Sequence, residues 1–131
     1  MEESEILEHI LTTLLRDFNG LDSRITRTVP GDEITSTLVN SRNKIAKSII
    51  DCIALLANPR YVSLSADTQD DLAKILKSFN ERQSEKVGLQ SFKLNLRGRK
   101  RKTTRLIKDF ETMAKTRQEL GKLRQAQGDQ H

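Results

Sequence analysis

Ile6, Leu7, Ile10, Leu11, Leu14, Leu15 and Phe18 recur at steps of three and four residues, the spacing that aligns one face of an α-helix. A helix over residues 3–19 is predicted. Glu2, Glu3 and Glu5 stand at its start, where the helix dipole favours negative charge, and Gly20 supplies a stop. The apolar stripe is wide enough to need burial on two sides, as in a bundle or an interface between subunits.

Val29-Pro30-Gly31 is a turn signal. Beyond it, Ile34, Leu38, Ile45, Ile49, Cys52, Ile53 and Leu56 approximate a seven-residue repeat, broadened by Ala46, Ile50 and Ala54. They predict a second helix over 32–57, ended by Asn58-Pro59 because proline disfavours helical geometry in the residue before it. Ser65 or Asp67 can cap a third helix over 65–87, with Leu72, Ile75, Leu76 and Phe79 as its buried face. The second and third helices are expected to form an antiparallel hairpin about Asn58-Pro59-Arg60.

The pattern then changes. Phe92, Leu94 and Leu96 alternate with Lys93, Asn95 and Arg97, but a lone strand has no partner, so an extended linker or a turn of helix is expected. Arg97-Gly98-Arg99 marks a flexible point inside a basic hinge, residues 97–102. Leu106, Phe110, Met113, Leu120 and Leu123 predict a final amphipathic helix over 103–124, frayed after Gly121. Residues 125–131 read as a disordered tail. The fold class is therefore all-α: a bundle of about four helices with a central antiparallel hairpin. Residues 1–96 form the body, and the last helix is free to project or swap after the hinge.

Composition agrees with helices built on aliphatic side chains. The 131 residues include four Phe, one Tyr, no Trp and two Pro. Charge changes the picture more. The net charge of +5 hides an acidic front, with 12 acids against 7 bases over residues 1–71. Residues 86–108 hold nine bases and no acid. Such asymmetry orients a molecule on a polyanion, or pairs one copy with another.

The strongest functional signal is Leu96 to Lys108, L-R-G-R-K-R-K-T-T-R-L-I-K, which carries seven of the chain's 23 Lys and Arg. Cations at this density repel one another unless a polyanion compensates. Lys93, Arg97, Arg99, Lys100, Arg101, Lys102, Arg105 and Lys108 are the candidate nucleic-acid contacts, to phosphate and with low sequence specificity. No aromatic residue interleaves with Arg97–Lys108, so duplex or structured RNA fits better than base stacking on a single strand. The same string also suits a nuclear import signal or a solvated linker. Leu106, Phe110, Met113 and Leu120 are the candidate oligomer interface, because a single bundle of this length does not readily cover them. A homo-oligomer or a partner protein is expected.

Thr68-Gln69-Asp70-Asp71-Leu72-Ala73-Lys74-Ile75-Leu76 resembles the first helix of the phage-repressor helix-turn-helix, which would imply a glycine turn and a second, base-reading helix. The chain instead continues Lys77-Ser78-Phe79-Asn80-Glu81-Arg82, so an ordinary capped amphipathic helix is expected. The hairpin about Asn58-Pro59-Arg60, with its long polar-faced return helix, looks like the oligomerising core of tailed-phage small terminase subunits. That resemblance implies a ring that engages DNA during packaging.

Catalytic chemistry has little to draw on. His9 lies among glutamates and His131 at the end, without metal-ligand spacing, and Asp32-Glu33 and Asp70-Asp71 read as helix N-terminal charges. There is no phosphate-cradling glycine loop and no nucleophile motif. No enzyme, no cofactor, no metal site and no small-molecule substrate is expected. Cys52 stands alone in an apolar run, which suggests a buried thiol in a reducing compartment. Without a signal or membrane-spanning run, the expected location is intracellular, cytoplasmic or nuclear. The alternative to nucleic-acid binding is a helical adaptor or regulatory subunit that meets an acidic partner.

Overall fold

A computed structural model describes residues 2–29, 31–58, 64–83 and 93–128. The described chain is all-helical: α1 (Glu3–Thr26), α2 (Glu33–Leu56), α3 (Ala66–Gln83) and α4 (Lys100–Gly128). Pro30, the Pro59-Arg60 part of the expected second turn, residues 84–87 of the expected third helix, Phe92 and residues 129–131 of the expected tail lie outside the described residues.

α1 runs through Gly20 to Thr26, a full turn and more beyond the expected stop. A mid-helix glycine costs about 1 kcal/mol relative to alanine. The continuation offsets that cost by burying Ile25, seven residues after Phe18 and fourteen after Leu11, and by delivering Asp22 to the core. A Cβ at Gly20 would meet nothing within 4 Å, so this glycine serves no close approach. The turn after α1 uses Gly31 at φ +93°, a left-handed conformation suited to glycine.

α2 packs antiparallel along α1, and this is the first of two hairpins. At the turn, the Thr35 hydroxyl donates to the Val29 carbonyl at 3.0 Å. Midway, Arg42 meets Asp22 at 3.1 Å. At the far end the Cys52 thiol donates to the Leu7 carbonyl at 3.4 Å. Ala46, Ile49, Ile50 and Ile53 are completely buried, whereas Ile34, which opened the expected repeat, is exposed.

The main partner of α2 is thus α1, not α3. α3 instead pairs with α4, antiparallel, and α2 touches α3 and α4 over much shorter stretches. The physical reason lies in the broad stripe of α1: it covers α2 along its length and leaves α3 to find its cover in Thr103, Leu106 and Phe110 of α4. α3 is capped by Ser65, whose hydroxyl accepts the Thr68 N–H at 3.2 Å. It runs unbroken to Gln83, so the Thr68–Leu76 resemblance is not followed by a helix-turn-helix turn.

The alternating segment before α4 is a plug rather than a loose linker. Leu94 and Leu96 point into the core and are buried, while Lys93, Asn95 and Arg97 face solvent. The Leu94 N–H donates to the Arg82 carbonyl at 3.1 Å.

One ionic cluster ties the two hairpins. Asp22 of α1 accepts from Arg42 of α2 and from both terminal nitrogens of Arg82 of α3, the latter at 2.8 Å each. Arg42 is fully buried and also donates to the Lys93 carbonyl at 2.9 Å. The Arg82 guanidinium lies 5.5 Å from the Phe18 ring centre, and Phe18 packs on Phe79 with centroids 5.2 Å apart.

Breaking a buried ion pair by removing one partner costs about 3 kcal/mol or more. Asp22→Asn is therefore expected to lower unfolding free energy by about 3 kcal/mol, read by urea denaturation. A loss below about 0.5 kcal/mol would mean that the cluster only decorates the core.

Candidate nucleic-acid interface

The basic segment is a built corner. Arg97–Arg99 form a turn in which Gly98 takes φ +87°, the Asn95 side-chain oxygen accepts the Arg97 N–H at 3.1 Å, and the Arg99 N–H donates to the Leu96 carbonyl at 2.8 Å. Helix α4 starts at Lys100, so Lys100, Arg101 and Lys102 belong to its first turn and not to a hinge. The buried Leu96 below and the buried Thr103 above, whose hydroxyl donates to the Arg99 carbonyl at 2.7 Å, hold the corner in place.

The expected contacts divide into three groups. Lys100, Arg101, Arg105 and Lys108 line one open hollow with Thr104, and Arg97, Gly98, Lys100 and Arg101 line a second beside it. Lys100, Arg101, Arg105 and Lys108 are exposed on α4 away from the buried Thr103, Leu106 and Phe110, and Arg97 adjoins them from the turn. Arg99 and Lys102 turn the other way and clasp Asp51 of α2: Arg99 Nε at 2.7 Å, Arg99 Nη2 at 3.0 Å and Lys102 Nζ at 2.9 Å. Lys93 is exposed on the plug but lines neither hollow, and its backbone carbonyl serves Arg42.

Partial burial opposes the charged form of Asp51. The hydrogen bonds and charges of Arg99 and Lys102 outweigh it, and they hold the carboxyl below the usual aspartate value of 3.8. The same pairing raises the Arg99 pKa. Burial pushes the Cys52 thiol up, which keeps it protonated and unreactive.

The expected oligomer interface is largely spent inside the chain. Leu106 and Phe110 are buried at 7% and 2% exposure and join the core, with Met113 packed at its edge. α3 covers them, which the expected α2–α3 hairpin had left no partner to do. Of the four residues, Leu120 alone remains open, at 49% exposure, with Leu123 beside it at 61%. α4 does not fray at Gly121 but continues to Gly128, and residues 118–128 are all exposed. The last cross-link to α3 is Arg117 to Asp70 at 3.2 Å.

The Asp51 clasp and the Asp22 cluster were both missed by sequence reading. Arg42 left a trace, because Thr35, Leu38, Arg42, Ile45, Ile49, Cys52 and Leu56 follow one another at steps of three and four. A charge in a core register announces a buried partner. Asp51 had no such mark.

His9 is exposed on α1, and among the described residues no group of three or more His, Cys, Asp or Glu is placed to hold a metal ion. Among the same residues, no helix is long and apolar enough to cross a membrane. Comparison with protein-family models, curated proteins and solved structures found no match to this chain.

Two stability tests follow from the packing. Phe110→Ala should cost about 3–5 kcal/mol in urea, as expected for emptying a core position, while Leu120→Ala should stay within about 0.5 kcal/mol of the parent. Equal small effects would put Phe110 outside the core. Asp51, with a depressed folded-state pKa, stabilises fully above its unfolded value, and the contribution fades as pH falls through the lower folded value. Asp51→Asn should therefore lower the melting temperature slightly at neutral pH, with the gap to the parent closing below the usual aspartate value of 3.8. A gap that persists there would assign it to lost packing.

Proposed function

We propose that this is a non-catalytic nucleic-acid-binding protein that contacts phosphates through the outer face of the corner before α4 and its first turns. The observation that carries this reading is the gathering of Arg97, Lys100, Arg101, Arg105 and Lys108 on one solvent face, with no acid in the first turn of α4. Like charges three or four residues apart on a helix cost about 0.2–0.5 kcal/mol per pair. Cations at a helix N-terminus also oppose its dipole, by about 0.3–1 kcal/mol each. Asp51 relieves Arg99 and Lys102 only. The remaining five retain an unfavourable arrangement that an anion at the helix start would reverse.

Assembly remains part of the proposal in a reduced form. The apolar positions left to support it on α4 are Leu120 and Leu123. A ring-forming, small-terminase-like packaging subunit would use them between copies. The adaptor reading draws on a different surface: Ile6 and Ile10, one turn apart on α1, are 42% and 43% exposed. A defined complex that survives nuclease treatment would favour that alternative.

The direct test is duplex affinity against salt. Log affinity should fall with log salt at a slope of about −0.9 per phosphate neutralised, so four to five contacts give about −4. Replacing Lys100, Arg101, Arg105 and Lys108 by Ala should flatten the slope and weaken all sequences alike, because phosphate contacts carry no base information. Asp51→Asn should act in the opposite direction and tighten binding by releasing Arg99 and Lys102. A slope untouched by the fourfold replacement would place the interface elsewhere, and an intact protein that does not bind at low salt would leave the adaptor.

A further inference from the structure

The basic segment ends at Lys108, but the face it occupies does not. Arg101, Lys108, Lys115 and Lys122 stand seven residues apart on α4, and all four are exposed. At 1.5 Å per residue the successive cations are about 10.5 Å apart, and the set spans about 31 Å. Each seven-residue step on a straight helix drifts by about 20°, so the four lie on one stripe that winds by about 60° from Arg101 to Lys122. The stripe lies opposite the Leu106–Phe110 face that packs on the core. None of the four has an ion-pair partner among the described residues, whereas Lys77, Arg82, Arg99, Lys102 and Arg117 all do.

We infer that the solvent face of α4 is a gently winding cationic rail, Arg101–Lys108–Lys115–Lys122, that lies along the backbone of a double-stranded nucleic acid. This rests on the phosphate-binding reading above and extends it from a corner to the whole helix. Two features favour a duplex. A duplex is stiff and carries about one charge per 1.7 Å of its axis, both strands counted, so a rigid row of cations meets a dense and already ordered ligand. A single strand would have to be straightened, and proteins that hold one supply aromatic platforms. Phe110 is the one aromatic residue of α4, and it is buried at 2% exposure.

The acids near the stripe set where it is weakest. Glu111 is turned to Lys77 across the α3 contact at 3.8 Å. Glu119 lies within a turn of both Lys115 and Lys122 and is exposed, so the outer half of the rail carries a reduced potential. The inner half, at Arg101 and Lys108, is reinforced by Arg97, Lys100 and Arg105.

Two double variants separate the halves: Arg101→Ala with Lys108→Ala, and Lys115→Ala with Lys122→Ala. Alanine is the best helix former, so α4 should persist in both, checked by circular dichroism. Affinity is measured against salt for duplex DNA and duplex RNA about twice as long as the rail, and for a single strand of equal length. Each pair should flatten the duplex slope by about 1.8, two contacts at about 0.9 each, and Glu119→Gln should tighten binding. Binding to either duplex supports the rail and identifies which duplex it takes. Preference for the single strand overturns it. A slope that falls for the inner pair but not the outer pair overturns the rail while leaving the basic corner as a phosphate site. An intact protein without salt-sensitive binding removes both.

Discussion

The structure depends on one carboxylate. Asp22 is the meeting point of three helices, because Arg42 comes to it from α2 and Arg82 from α3. Each arginine brings a further contact: Arg42 reaches the Lys93 carbonyl of the plug, and Arg82 covers the Phe18 ring. The hydrophobic faces alone would assemble two hairpins of helices, since aliphatic side chains pack without strong preference for register. A buried guanidinium is less tolerant. Shifted by one helical turn, Arg42 would lose the carboxylate and remain dehydrated, at a cost larger than most single packing changes. The cluster thus selects how the α1–α2 hairpin sits on the α3–α4 hairpin, whatever its net contribution to stability.

The sequence made the helices legible through their period, and its errors fell where tertiary contacts outweigh local signals. Gly20 reads as a stop, yet Ile25 and Asp22 carry α1 past it. The expected hairpin about residues 58–60 followed from a short connection, but adjacency in sequence does not decide which faces meet. The stripe of α1 claimed α2, and Leu106 and Phe110 went to α3. The alternation of Leu94 and Leu96 was visible, though its meaning was not: an extended segment can alternate by lying across helices, without any strand beside it. At the candidate site the cluster of bases was plain from composition. Its partition was not, because Asp51 lies 48 residues from Arg99 and nothing local links them.

That partition gives the basic segment two sides. Arg99 and Lys102 fasten the start of α4 to α2 through Asp51, and they do so at a surface where solvent screens much of the attraction. The clasp is a matter of placement more than of stability. By drawing two cations inward, it leaves the remaining five displayed on the other side, with Arg97, Lys100 and Arg101 nearest the free N–H groups of the helix start. The corner at Gly98 makes this possible, since the left-handed turn there reverses the chain between a buried Leu96 and the first turn of α4.

The pairing of neighbours also bears on how the chain acquires its shape. α1 with α2, and α3 with α4, are partners close in sequence, and contacts of that kind form quickly because little chain entropy is lost in closing them. The link between Arg82 and Asp22 spans 60 residues. It can form only when both hairpins are brought together, with Arg42 fully buried and Asp22 and Arg82 partly so. The ionic cluster therefore joins two halves whose own contacts are local. Most of the chain-closure entropy thus falls on the joining of the two hairpins, across 60 residues, and little of it on either hairpin alone.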